Sequence, residues 1–141
     1  MLPTLPRPSV PLPMAHRRAL RVLVVDDDLL VRWALGCALI QHGCVVVEQE
    51  DAASAIRSVT DPSAVFDVIL LDDRLPDARG LELLTTLKQL APESRVVMMS
   101  ADMPAEDRAE AILRGASAFV PKPFDLDEVW TLIRRYAPPA D

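Results

Sequence analysis

Five polar side chains each follow a short apolar run: Asp26 and Asp27 after Val22–Val25, Asp72 after Val68–Leu71, Ser100 after Val96–Met99, and Lys122 after Phe119-Val120-Pro121. Taken singly, each has an ordinary explanation as a turn, a helix cap or a loop lysine. Taken together, they have the composition of a phosphoryl-accepting site. Three carboxylates brought together repel one another. A hard divalent cation with oxygen ligands relieves that repulsion, and Mg²⁺ suits because it takes one or two carboxylates and keeps several waters. Asp72 is then expected to act as a carboxylate nucleophile toward phosphorus. The metal and Lys122 would offset charge on the phosphoryl oxygens, and Ser100 could donate a hydrogen bond to one of them. No general base is expected, because a carboxylate is already ionised near neutral pH. Asp72 should face this site, and the neighbouring Asp73 should point away.

The elements that must position these residues follow from hydrophobic periodicity. Val22–Val25, Val45–Val47, Val68–Leu71, Arg95–Met99 and Ala118–Val120 read as short strands, the third of them buried on both faces. Helices are expected between and after them. The first spans about Leu29 to Gln41, with Asp28 as cap and His42-Gly43 as stop. Leu30, Trp33, Ala34, Cys37 and Ala38 form its apolar stripe. Ala52, Ala55, Ile56 and Val59 mark the second helix, and Leu81, Leu84 and Leu87, after Gly80, mark the third. The fourth should run from about Met103 to Arg114, with Glu106 and Asp107 in its first turn. The fifth should start at a capping box, Asp125 to Glu128, and run to about Tyr136.

Five strands alternating with five helices predict an α/β fold, a parallel sheet covered by helices on both faces. The common doubly wound order for five strands is 2-1-3-4-5, with a site at the switch between strands 1 and 3, outside their carboxyl ends. Strands 1, 3, 4 and 5 end in Asp26-Asp27, Asp72, Ser100 and Lys122. Strand 2, the edge strand, ends in Glu48-Gln49 without a matching cluster. The polar chemistry falls where that topology puts a site.

The chain has 141 residues, half of them apolar, which fits a single core. Residues 1–21 hold four arginines and no acid against a net charge of −6, which leaves −10 on the remainder. That argues against direct nucleic-acid binding by the folded part. Residues 1–20, with five prolines in the first thirteen, are expected to be a disordered Pro-rich tail, and the native start to be either Met1 or Met14. Residues 138–141 are expected to be a tail or the start of a linker. Cys37 and Cys44 are expected to be reduced core thiols; with two scattered histidines they make no zinc site. The N-terminus lacks the apolar region of a secretory signal, and no run approaches membrane-spanning length, so a cytoplasmic location is expected.

Residues 21–137 resemble the receiver domain of bacterial two-component response regulators. The matching segments are Val24-Val25-Asp26-Asp27-Asp28, Leu71-Asp72-Asp73-Arg74-Leu75-Pro76, Met99-Ser100-Ala101 and Phe119-Val120-Pro121-Lys122-Pro123-Phe124. The resemblance implies a flavodoxin-like fold with Asp72 as phosphoacceptor. It implies Mg²⁺ held by Asp26, Asp27, Asp72 and the main-chain carbonyl of Arg74, with Ser100 and Lys122 contacting the phosphoryl group. It further implies a cis Lys122-Pro123 bond and a switch running from Ser100 to Phe119. The donor would be a sensor histidine kinase or a phosphotransfer protein. The response would be a change in the surface of helix 4, strand 5 and helix 5, through which such domains form homodimers or meet partners. No enzymatic turnover is implied beyond self-phosphorylation and self-dephosphorylation. Val31 to Leu35 is similar to the first helix in receivers of enhancer-binding transcription activators. Ser100 stands where threonine is commoner, and Phe119 can turn but cannot hydrogen-bond. Arg74 puts a cation beside the site that could alter the lifetime of the phosphorylated state.

Two other readings fit less well. A Mg²⁺-dependent aspartyl-phosphate hydrolase usually carries a second acid two residues after its nucleophile, where this chain has Arg74. A flavin- or nucleotide-binding domain would need a Gly- or hydroxyl-rich loop after strand 1, where Asp26-Asp27-Asp28 would repel phosphate.

Overall fold

The computed structural model describes residues 18–138. The expected N-terminal tail through residue 17, with both candidate starts, and the tail from residue 139 lie outside the described residues. The elements alternate as expected: β1 (Arg21–Val25), α1 (Leu29–Gln41), β2 (Val45–Gln49), α2 (Ala52–Thr60), β3 (Val68–Asp72), α3 (Gly80–Leu90), β4 (Arg95–Ser100), α4 (Ala105–Leu113), β5 (Ala116–Pro121) and α5 (Leu126–Ile133). A single 3-10 turn, Arg134–Tyr136, completes the run that the sequence assigned to the last helix. All four strand pairings are parallel, in the order β2-β1-β3-β4-β5.

Alternation along the strands divides the core into two layers. Val22, Val24, Val68, Leu70, Val97 and Met99 face α1 and α5, where Leu35, Leu39, Val129 and Ile133 cover them. Leu23, Val25, Ile69, Leu71, Val96 and Met98 face α2, α3 and α4, and meet Ala52, Ala55, Leu83, Leu84, Leu87 and Ala111. Every residue of β3 is buried, as a central strand covered on both sides requires.

Four expectations change. The stripe of α1 that packs inward is Leu35, Gly36 and Leu39. Leu30 and Trp33 are 74% and 63% exposed instead. The helix is apolar nearly all round, so its own periodicity does not select a face. Cys37 lies on the outward side of α1 and is exposed, whereas Cys44 is buried; both are free thiols. The described fold also begins before residue 21. Leu20 is buried, and Arg18 makes a two-pronged ion pair with Asp67 at 2.8 and 3.0 Å. The fourth helix starts at Ala105, two residues later than read, because Pro104 takes the N-cap position.

Candidate functional site

The carboxyl ends of β1, β3, β4 and β5 lie side by side, and there the polar residues collect. Asp26 directly follows β1. Its N–H donates to the Gln49 carbonyl at 3.1 Å, which holds it in line with the sheet. Its carboxylate is fully buried. Oδ1 accepts from the Asp28 N–H at 2.9 Å, and the main-chain carbonyl accepts from Arg32 Nη1 at 2.7 Å. Asp28 itself caps α1, accepting from the N–H groups of Leu30 and Val31. The acidic run thus divides its work: one residue caps a helix and another points into the site.

Asp72 is the last residue of β3 and is 6% exposed. Lys122, just after β5, lies between the two buried acids. Its Nζ donates to Asp26 Oδ2 at 2.6 Å and to Asp72 Oδ1 at 3.2 Å. A buried carboxylate without a partner is strongly unfavourable, so this bridging ammonium is what lets both acids sit at the sheet edge. The Lys122-Pro123 bond is cis, as the resemblance implied. Burial pulls the pKa of Lys122 down, but the hydrogen bond to Asp26 and the charges of Asp72 and Asp26 outweigh it and leave it raised.

One lysine does not balance the site. Burial and then the charge of Asp26 raise the Asp72 pKa to about 6, although Lys122 and the Arg74 amide favour its ionised form. Asp72 is therefore mostly, not completely, ionised at neutral pH. One carboxylate oxygen from each of Asp26, Asp27 and Asp72 lies within 4.8 Å of the others, with Asp27 exposed at the mouth. An all-oxygen, net-negative, part-open donor set of this kind fits a hard divalent cation that keeps some of its waters.

The remaining expected residues are less uniform. Ser100 ends β4 and is buried, but its hydroxyl donates to Asp73 Oδ2 at 2.9 Å. Asp73 therefore does not point away. β3 stops at Asp72, so strand alternation no longer governs the next side chain. Phe119 is half-buried in β5 and packs with the α2–α3–α4 layer. The Arg74 side chain is exposed and makes no hydrogen bond or ion pair among the described residues; its main chain bridges to Arg79. On the α4 side of the proposed output surface, Arg114 is engaged within the chain by Glu110 at 2.9 Å and by the Leu81 carbonyl at 3.1 Å.

Sequence reasoning missed Asp73 and Arg32. Arg32 is five residues after Asp27 in an apolar helix, and nothing in its spacing signals that it reaches back to a strand-end carbonyl. Gly80 offered the one available hint about Asp73. A Cβ there would meet Asp73 Cα at 2.6 Å, so the start of α3 needs a glycine to pack on that residue's backbone.

The comparisons agree with this fold. The sequence model of the response regulator receiver domain family matches residues 22–134. The DNA-binding transcriptional regulator NtrC of Escherichia coli (strain K12) is 38% identical over 114 residues, covering 81% of this chain and 24% of that protein. The chain thus spans about a quarter of the length of that relative. Chemotaxis protein CheY of Bacillus subtilis (strain 168) is 32% identical over 123 residues, covering 86% of this chain and 98% of CheY. Among solved structures, a CheY-like receiver domain protein from Methanospirillum hungatei JF-1 superimposes with a TM-score of 0.80 at 25% identity, covering 84% of this chain and 93% of that one. No helix among the described residues is long and apolar enough to cross a membrane. With a family match over most of its length and the order 2-1-3-4-5 in its sheet, the chain belongs to the response regulator receiver domain family of two-component signalling.

Proposed function

We propose that Asp72 accepts a phosphoryl group from the phosphohistidine of a sensor histidine kinase or phosphotransfer protein, and that this switches the α4–β5–α5 surface. The observation that carries the reading is the convergence of Asp26, Asp27 and Asp72 within 4.8 Å beside a lysine that touches two of them. An Asp72 carboxylate oxygen bonds to phosphorus as the bond from phosphorus to the donor's imidazole nitrogen breaks. The bonding pair leaves with that nitrogen, which takes a proton and ends as neutral imidazole. Mg²⁺, held by Asp26, Asp27, Asp72 and the main-chain carbonyl of Arg74, would supply positive charge to the phosphoryl oxygens. Lys122 adds a second positive charge, and its contacts with Asp26 and Asp72 already hold its ammonium at the nucleophile. An apolar groove lined by Leu30, Val31, Ala34 and Phe124 opens beside Lys122 and offers the donor a surface next to Asp72.

The chain acts on itself, by self-phosphorylation and self-dephosphorylation, and turns over no separate substrate. Its relatives of the NtrC type are named as DNA-binding transcriptional regulators, which supports control of transcription as the output of the whole protein. Homodimerisation through α4, β5 and α5 is the expected response, with Ile112 and Leu113 (60% and 82% exposed) available on α4. The test is incubation with acetyl phosphate and Mg²⁺. An acid-stable, base-labile phosphate should appear on the wild-type chain and be absent from Asp72→Asn. Undiminished label in that variant would remove Asp72 from the role.

A further inference from the structure

The hydroxyl of Ser100 is already committed. It donates to Asp73 Oδ2 at 2.9 Å and accepts from the Asp102 N–H at 3.1 Å. A serine hydroxyl has one hydrogen to give. While that hydrogen points at Asp73, it is not available to an oxygen carried on Asp72. We propose that Asp73 is a latch on Ser100, a positioning residue that holds the hydroxyl in its unphosphorylated place until a phosphoryl group on Asp72 draws it away. This rests on the proposed roles of Asp72 and Ser100.

Three features make Asp73 suited to the task. Its acceptor is a carboxylate, so the bond is charge-assisted and stronger than one between neutral groups. Its main chain is fixed on both sides: the N–H donates to the Met99 carbonyl at 3.0 Å, and the carbonyl accepts from the Gly80 N–H at 2.9 Å. Its side chain borders an open hollow shared with Asp102 and Met103, which gives the carboxylate solvent to turn into once the hydroxyl leaves. Serine also matters. Without a β-branch its χ1 is free to rotate between the two acceptors.

The latch has a second arm. Ser100 Oγ is the acceptor that fastens the Asp102 N–H, and residues 101–104 lead directly into α4. Moving Oγ toward Asp72 withdraws that acceptor and slackens the segment that positions α4. A change at the phosphoryl site is thereby coupled to the proposed output surface through one hydroxyl.

The test compares wild type, Asp73→Ala, Asp73→Asn, Ser100→Ala and the Asp73→Ala/Ser100→Ala double variant. Beryllofluoride with Mg²⁺ serves as the phosphoryl probe, titrated by calorimetry. Asp73→Ala should bind it about tenfold more tightly than wild type, the scale of one charge-assisted hydrogen bond. Asp73→Asn, which keeps an acceptor oxygen, should give a smaller shift of the same sign. In the Ser100→Ala background the alanine at position 73 should add little. An equal gain in that background would mean simple relief of charge repulsion and would overturn the latch. A metal-free readout keeps this separate from the proposed function. Amide hydrogen exchange at Asp102 should quicken several-fold in Asp73→Ala, because nothing then holds Oγ as its acceptor. Unchanged exchange refutes the hold of Asp73 on Ser100, whether or not the chain accepts phosphate. Failure of wild type to bind beryllofluoride, with quickened exchange in the variant, would instead strike at the role of Asp72 and leave the latch without a switch.

Discussion

Burial and the neighbouring Asp26 raise the pKa of Asp72 from 3.8 to about 6, so the ionised carboxylate opposes folding. The penalty is complete well above pH 6, where the side chain is fully charged in both states. It fades as pH falls through 6 and is gone below about 4, where both states are protonated. A shift of about two pH units corresponds to about 3 kcal/mol. Asp72→Asn should therefore stabilise the metal-free protein by up to that amount at pH 7.5 and hardly at all at pH 4. Urea melts of both proteins at the two pH values check this; equal stability at pH 7.5 would contradict the raised pKa. At this scale the sequence foresaw most of the cluster. Asp26, Asp27, Asp72 and Lys122 all meet as their types and positions suggested. Asp73 did not follow, because the direction of a side chain one residue past a strand depends on the turn, and the turn here is set by Gly80 and Met99.

Among the elements, α1 shows where periodicity fails. Leu30, Trp33, Ala34, Cys37 and Ala38 make a regular stripe, but so do Val31, Leu35 and Leu39, with far better burial for the second set. An amphipathic helix declares its inner face by the polarity of the outer one. This helix has almost no polar outer face, since Arg32 turns inward to the Asp26 carbonyl and Gln41 stands alone at its end, so the sheet and α5 choose for it. Leu35→Ala, at a fully buried position, should cost about 2–5 kcal/mol. Leu30→Ala should change stability by less than about 0.5 kcal/mol. Denaturant melts of the pair distinguish the two faces, and a larger loss at Leu30 would restore the face read from sequence. Helices α2 and α3 behaved as read, because charged and polar residues on their outer sides leave one stripe to bury.

For the molecule as a whole, the central strands are buried on both faces and the buried charge gathers at their carboxyl ends. Three acids converge at the carboxyl edge with one lysine between them, in a chain of net charge −6. A ligand that binds the folded state alone stabilises it by about 2.7 kcal/mol at a hundredfold excess over its Kd. Millimolar Mg²⁺ should accordingly raise the Tm of wild type by several degrees, and the rise should shrink in Asp27→Ala. Calorimetric scans with Mg²⁺ and with EDTA measure it, and an unchanged Tm in both would count against a cation at this site.

The amino-acid sequence alone determined the alternation of strands and helices, the parallel sheet and its order, and the residues at the strand ends. These are legible because each rests on local pattern: apolar runs of strand length, caps and breakers, and the position of a charge just after a run. Tertiary structure alone decided which face of α1 is buried, that Arg32 holds the Asp26 carbonyl, and that Asp73 and not Asp72 holds the Ser100 hydroxyl. Each of these is a contact between residues on different elements, at separations the chain pattern does not encode. The physical reason is the same in every case. A polar or apolar group takes the partner that the packed layers bring within reach, and only the assembled sheet specifies which partner that is.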